Sequence, residues 1–371
     1  MMRYSFTPVE SRRDLREFIA FPRWVYRKGH GERHHVPALV QQIRDWHRGQ
    51  VPGVTLYLLR DAEGRVAGRT TLHTDPDFDT KQGRPLQLFG LTEFVDDPAA
   101  SAALFDGICS AGRSSGKAAA FGPVALLPNQ SGGVITSGFE ERGFIDSAWN
   151  HPYYPRAYEA YGFARRFESD TWICPTTRDP EEVFPFDEAQ TEAEELVVHR
   201  GDRKRLREQL PILRGMLNAS FAQLGYYTEI SATQLDRQTD GLAHLIDESL
   251  LLYLTRKGEP VAFVLCVPDI SEYVMKAGGD LTLFRQILLL LTRKRYRRDA
   301  VLIIKGTVPE AQGQGYMRLL SRELLRNLRS GGYDFLRSTY VEHANAASAA
   351  QYVAMGGRPL HGYTFYEKEL R

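Results

Sequence analysis

The stretch at residues 301–329, VLIIKGTVPEAQGQGYMRLLSRELLRNLR, sets an apolar strand run, a glycine-punctuated bend and an amphipathic helical pattern in succession. That order makes an anion site out of main chain alone. Gly313 and Gly315 can take the positive φ angles that turn successive N–H groups toward one point. The helix that follows carries Leu319, Leu320, Leu324, Leu325 and Leu328 on one stripe and aims the positive end of its dipole at the same point. No Lys or Arg lies in the bend at 309–315, so its donors are amides, which suits a diphosphate better than a transferring γ-phosphate. Two familiar phosphate loops do not fit. A Walker A loop ends in Gly-Lys-Ser/Thr, whereas Gly315 is followed by Tyr316 and Met317; a dinucleotide fingerprint needs a third glycine where Arg318 stands.

The elements that would position this bend continue downstream, with a strand pattern, FLRSTYVE, and a helical pattern in EHANAASAAQYVAMGGRPL. In this setting Gln312, Gly313, Gln314, Gly315 and Tyr316 resemble the pyrophosphate loop of the GCN5-related N-acetyltransferases, Arg/Gln-x-x-Gly-x-Gly/Ala. Met317 takes the last Gly/Ala position and departs from it. That family commonly carries Asn, a small residue and Tyr before a Gly-Phe pair. Here Asn345, Ala349, Tyr352 and Gly356 follow in order, with Gly357 in place of the Phe. The resemblance implies an α/β acyl-CoA N-acyltransferase fold, a mixed central sheet flanked by helices, with acetyl-CoA or another acyl-CoA as co-substrate. It implies that Val308, Gln312, Gly313 and Gln314, then Gly315, Tyr316, Met317 and Asn345, hold that co-substrate. It also implies that Tyr352 protonates the departing thiolate. The plainer readings are a βαβ turn with a capping glycine and a helix tyrosine packed beside the core.

Self-comparison finds the pattern twice. VTLYLLRDAEGRVAGRTTLH and LLLYLTRKGEPVAFVLCV each read as two strands around a turn. The turn glycines Gly64 and Gly258 are 194 positions apart, as are Tyr158 and Tyr352, and Gly162 and Gly356. We therefore expect two tandem domains of this fold, at 1–178 and 195–371, joined through a segment at 175–195 rich in Pro, Asp, Glu and Thr. In the first domain LQLFGLTEFV leads into Asp96, Asp97 and Pro98, with no Gly-x-Gly. Carboxylates there cap a helix and complement its dipole, and they repel a diphosphate. The first half is expected to have lost coenzyme binding at this place. GRVAGR at 64–69, FVDDP at 94–98, Gly122-Pro123, Asn129 and NHPYYP at 150–155 resemble a group of bacterial tandem proteins of the same superfamily. With NASF at 218–221 and VPD at 267–269, that resemblance spans most of the chain.

Acylating an amine from a thioester needs a neutral amine, a stabilised oxyanion and a proton for the thiolate. The strand before the bend offers no Glu as base, only Lys305, and Glu310 lies at the bend itself. A water relay, a base from the first half, and no catalysis at all stay open. His30 and His34 have helical metal spacing but no Cys or acidic cluster beside them, so a surface loop is expected and no metal. The basic run RKRYRR at 293–298 reads as a solvated helix end, or as a holder for the 3′-phosphate of coenzyme A or an acidic carrier. SATQ from Ser231 reads as a capping box.

The bounds agree with this reading. At 371 residues the chain suits two domains, and 43% hydrophobic with 25% charged residues is a globular composition. A net charge of +1 argues against a nucleic-acid partner. The longest apolar run, 287–291, is too short to span a bilayer, and no membrane partner is expected. The first residues lack a signal-peptide apolar region. Cys109, Cys174 and Cys266 are too scattered for a disulfide framework, which points to a reduced cytoplasmic setting. The function expected is acyl transfer from acyl-CoA to a small-molecule amine. The alternatives are an aminoacyl-tRNA-dependent transferase of similar tandem fold and a non-catalytic module binding a small molecule or a partner protein. Acceptor, acyl length and oligomeric state are not legible in these residues.

Overall fold

The computed structural model describes residues 4–27, 31–127, 131–239, 247–296 and 298–370. Two compact units divide the chain, and they are not its consecutive halves. The first comprises Met1–Asp170, Ser271–Gln286 and His361–Arg371; the second comprises Thr171–Ile270 and Ile287–Leu360.

The first repeat runs β1 (Tyr4–Pro8), α1 (Arg12–Tyr26), α2 (Val40–His47), β2 (Thr55–Asp61), β3 (Val66–His73) and α3 (Pro76–Gln82). It continues with β4 (Leu86–Phe94), α4 (Pro98–Ser114), β5 (Ala119–Gly122), β6 (Val134–Ile135), α5 (Tyr153–Tyr161) and β7 (Ala164–Pro175). Two short helices follow, α6 (Pro180–Val183) and α7 (Glu188–Ala193). The second repeat opens with β8 (Leu196–Arg200), α8 (Leu206–Phe221), α9 (Ala232–Thr239), β9 (Leu251–Arg256) and β10 (Glu259–Pro268). Next come α10 (Ser271–Ala277), α11 (Leu283–Thr292), β11 (Asp299–Thr307) and α12 (Tyr316–Ser330). It closes with β12 (Phe335–Glu342), α13 (Ala346–Ala354) and β13 (Arg358–Glu369). Hairpin β2–β3 matches β9–β10, with their turns at Gly64 and Gly258 both at positive φ. Helix α5 runs directly into Gly162, and α13 reaches Gly356 one residue later, after Met355, both glycines at positive φ. The sequence repeat is a structural repeat.

Each unit is built on a mixed sheet. In the first unit the order is β1-β2-β3-β4-β5-β13, with β6 also on β13. Only β4–β5 is parallel; β1–β2, β2–β3, β3–β4 and β5–β13 are antiparallel. In the second unit the order β12-β11-β10-β9-β8 repeats the plan, with β11–β12 parallel and the rest antiparallel. Strand β7 begins in the first unit and ends in the second, and β13 runs the other way. Each of these two strands has residues in both units, which a boundary at 178/195 does not convey.

Residues 175–195, expected as a linker, belong to the second unit and pack on it. Phe184 is buried in its core, and Arg322, Arg326 and Arg329 of α12 pair with Glu188, Glu181 and Asp179. Acidic composition marks the complement of a basic helix face here, not a solvated tether. The five-leucine stripe of α12 is buried as its spacing requires. Each such leucine contributes about 1.5–3 kcal/mol relative to exposure.

Across β3–β4, Arg69 and Glu93 face each other and pair inside the first unit. Arg69 Nε and Nη2 donate to the two carboxylate oxygens at 2.6 and 3.1 Å, and Nη1 donates to Phe18 O at 2.7 Å. Removing one partner strands a buried charge. Arg69→Met should lower unfolding free energy in a denaturant titration by about 3–5 kcal/mol. A loss below about 1 kcal/mol would show that Glu93 is satisfied without Arg69.

Candidate active site

The second unit's site is organised by an irregularity in β11. Against β10, Leu265 faces Ile304 and Cys266 faces Leu302, so Ile303 is an inserted residue. The insertion reverses which side each later residue faces. Leu302 lies in the core cluster built on α12, while Ile304, two residues on, packs into the cluster built on α8. Lys305 is thereby returned to the side of α12 and α13. At the same level the parallel pairing of β11 with β12 stops, covering 299–302 against 335–338. Beyond it, Thr339 Oγ1 donates to Ile303 O at 2.8 Å.

The bend has the predicted form. Val308 N–H donates to Val261 O at 2.9 Å, and Ala311 N–H donates to Val308 O at 2.9 Å. Both main-chain groups of Val308 are thus committed, and its half-buried side chain packs against the core clusters built on α12 and on α8. Residues Pro309–Ala311 form a 3-10 turn, and Gly313 and Gly315 sit at φ +79° and +81°. A Cβ at Gly313 would meet nothing within 4 Å, so this glycine is required by its backbone angle and not by crowding. Gly315 stands at the N-cap of α12 with no side-chain cap. Among the described residues no acceptor meets the main-chain N–H groups of Gly313, Gln314, Gly315, Tyr316 or Met317. Five donors around a helix N-terminus fit a diphosphate. The loop is braced from α7: Gln190 Nε2 donates to Gln314 O at 3.2 Å, and Tyr316 donates its phenolic proton to Glu194.

Tyr352 lies in α13, 2% exposed, with its ring stacked on Trp172 at 5.7 Å. Burial holds its phenol well above the ordinary value, while hydroxyls of Ser338 and Ser348 pull the other way. It is therefore protonated at neutral pH, as an acid must be. Lys305 Nζ stands 4.5 Å from the centre of that ring and donates to Gln351 Oε1 at 2.7 Å. The same oxygen accepts from Ser321 Oγ of α12 at 3.3 Å. Loss of hydration lowers the Lys305 ammonium from 10.5 to about 8, partly opposed by Cys174. Burial pushes the Cys174 thiol up to about 12. Five elements, β7, β11, β12, α12 and α13, thus converge around two proton-carrying groups, Lys305 and Tyr352.

Asn345 is the N-cap of α13, its Oδ1 accepting from Ser348 N–H at 3.1 Å, so half of its amide is spent on the helix. Gln312 Nε2 donates to Thr307 O at 3.3 Å, which folds its side chain back on the bend. Sequence reasoning gave no role at the site to Trp172, Cys174, Ser338 or Gln351; the first three lie on strands β7 and β12 and reach Tyr352 through the sheet, while Gln351 precedes it in α13. It also passed over Glu342, a half-buried carboxyl at the end of β12 whose pKa burial raises.

At the corresponding place in the first unit the helix N-terminus carries a side-chain cap. Asp97 caps α4, accepting from Ala99 N–H at 2.8 Å, and takes a second bond from Tyr4 Oη at 2.8 Å. Val124 N–H donates to Phe89 O at 2.7 Å, and Val124 O would lie 1.9 Å from a Cβ at Gly90. The chain's own backbone lies where β4 and β5 part. Tyr158, matching Tyr352, is stacked on Tyr366 at 4.6 Å in an aromatic core.

Among the other motifs, His34 hydrogen-bonds Glu140 O at 3.0 Å, while His30 and Asn129 lie outside the described residues. Groups able to hold a metal are absent among the described residues. Ser231 and Gln234 form the reciprocal capping box, and the three cysteines are buried thiols. In the basic run, Arg297 and the side chains of Arg293 and Lys294 lie outside the described residues.

No family model matches the chain. It is 23% identical to protein YghO of Escherichia coli (strain K12) over 373 residues, covering 97% of this chain and 94% of that one. It is 24% identical over 313 residues to the bacterial ceramide synthase of Caulobacter vibrioides (strain NA1000 / CB15N), covering 83% and 82%. Among solved structures it superimposes on a tandem GNAT protein from the clavulanic acid biosynthesis pathway with a TM-score of 0.61, 12% identity and 99% coverage of both chains.

The Lys305 shift has a thermodynamic signature. Below about pH 8 both folded and unfolded chains carry its proton, so it adds no slope to stability. Between pH 8 and 10.5 the unfolded chain binds the proton and the folded one does not, so stability rises with pH. Over that window the native chain should gain about 2–3 kcal/mol relative to Lys305→Met. Parallel pH profiles from chemical denaturation would refute a lowered Lys305 pKa.

Proposed function

From a chain with the tandem GCN5-related N-acetyltransferase fold, we infer an N-acyltransferase that takes an acyl group from acyl-CoA and passes it to an amine. The observation that carries this reading is the row of acceptor-free N–H groups from Gly313 to Met317 at the N-terminus of α12. These amides would hold the diphosphate, with Gln312 beside them and Asn345 on the facing helix. The co-substrate supplies a thioester, which surrenders its acyl group and leaves as a thiolate. Tyr352 donates the proton to that sulfur. Lys305, with a pKa of about 8, takes the proton that the acceptor amine must lose, and its ammonium is then held by Gln351 and the Tyr352 ring. The first unit supports the second and does not bind the co-substrate, because Asp97 and Val124 occupy the matching place.

A ceramide is the amide of a long-chain amino alcohol, and the name of the Caulobacter relative supports an acceptor of that kind. The three buried thiols fit a reducing cytoplasm.

Calorimetric titration with CoA should give one site per chain. Gly315→Asp should weaken it by one to two orders of magnitude, since it puts a carboxylate among the amides at a residue held at φ +81°. Two equivalent sites, or unchanged affinity in Gly315→Asp, would refute the placement. Tyr352→Phe should leave CoA affinity nearly unchanged and lower turnover by ~10²-fold. Turnover should rise with pH up to about 8 in the native chain and lose that rise in Lys305→Met. A native chain that consumes no acyl-CoA with any amine, long-chain amino alcohols included, would favour a binding module.

A further inference from the structure

Helix α11 is amphipathic the wrong way round for a helix packed on a core. Its buried positions are few. Leu289 is 1% exposed, and Arg285, its side chain 40% exposed, lies on the same side, with Nη1 donating to Ala277 O and Asp280 O at 2.8 Å each. The opposite face carries Leu283 and Phe284, both 74% exposed, Ile287 at 48%, Leu288 at 41% and Leu291 at 79%. Positions 284, 287, 288 and 291 form one stripe at helical spacing, and 283 lies beside it. Five large apolar side chains in one exposed stripe are not a solvent-facing surface.

Charge identifies what covers it. From 281 to 298 the chain has no Asp or Glu and carries Arg285, Arg293, Lys294, Arg295, Arg297 and Arg298. The whole chain has a net charge of only +1, so the remainder is net acidic and this segment is a local concentration of positive charge. Arg295 is exposed, and the Arg298 side chain, 81% exposed, makes a solvent-exposed pair with Asp334 at 3.3 Å. Leucine and phenylalanine on one face, followed directly by a run of arginines, match the two demands of an anionic bilayer surface: acyl chains for the apolar stripe and phosphates for the cations. The helix is ten residues long, about 15 Å, and no helix among the described residues is long and apolar enough to cross a membrane. We infer that α11 and the basic turn after it dock the protein on the surface of an anionic membrane, lying in the interface without spanning it. This inference rests on the helix alone and stands apart from the acyl-transfer reading.

The test is flotation of the full chain with phosphatidylcholine vesicles containing 30% phosphatidylglycerol, with pure phosphatidylcholine vesicles as the control. The chain should partition onto the anionic vesicles at least about tenfold more strongly than onto the neutral ones. Raising salt from 0.1 to 0.5 M should weaken that binding severalfold. The double variant Phe284→Asp with Leu291→Asp should lose at least about tenfold, and Arg295→Glu should also weaken binding, by less than the double variant. All three positions are exposed, and an unchanged thermal melt confirms that the fold is intact. Absence of binding to anionic vesicles overturns the inference, and so does equal binding by the double variant. Light scattering supplies the remaining outcome: a dimer that the double variant dissociates, with no vesicle binding, would assign the stripe to a second copy of this chain and overturn the membrane reading.

Discussion

One inserted residue in β11 decides which groups of the second unit come together around Lys305. Strand geometry alternates side chains between two faces, so Leu302, Ile304 and any further even position would share a face in a regular strand. Ile303 breaks that alternation against β10. Leu302 stays with α12, Ile304 turns to α8, and Lys305 arrives above Tyr352. The pairing with β12 ends at the same point, so the bulge both re-aims a cation and frees the end of the strand that leads into the bend. Without it Lys305 would face α8 with no route to Gln351.

The two repeats show how one fold can present two different helix N-termini. Both have a parallel strand pair at the corresponding place, each followed or flanked by helices of the same order. In the second unit the helix N-terminus is left uncapped by any side chain. In the first, the Asp97 side chain caps Ala99 N–H, and Val124 O lies close against Gly90. Capping and a close backbone approach stabilise the first unit by the same groups that would otherwise bind an anion.

The braces on the bend differ in what they can contribute. Pairs such as Arg326–Glu181 and Arg329–Asp179 are solvent-exposed on both sides, and exposed pairs contribute about 0–1 kcal/mol. Burial of Phe184 in the core and the contacts of Gln190 and Glu194 with the loop hold the segment more firmly. Its acidic side chains set the register of that packing against the arginines of α12.

The amino-acid pattern by itself determined the parts whose physics is local. The bend at 312–315, the leucine stripe of α12, the Asp97 cap, the Ser231 box and the 194-residue repeat all depend on backbone angles or helical spacing, which neighbours in sequence dictate. Tertiary structure decided what depends on residues far apart. The division of β7 and β13 between units, the packing of 175–195 and the meeting of Trp172, Cys174, Lys305 and Tyr352 leave no local trace, because each arises from which strands lie side by side. The bulge belongs with them: VLIIKGTV reads as an unbroken strand, and only its pairing with β10 tells that one residue is inserted. Lys305 was visible as a residue; its lowered pKa comes from lost hydration, which exists only once the chain has folded around it.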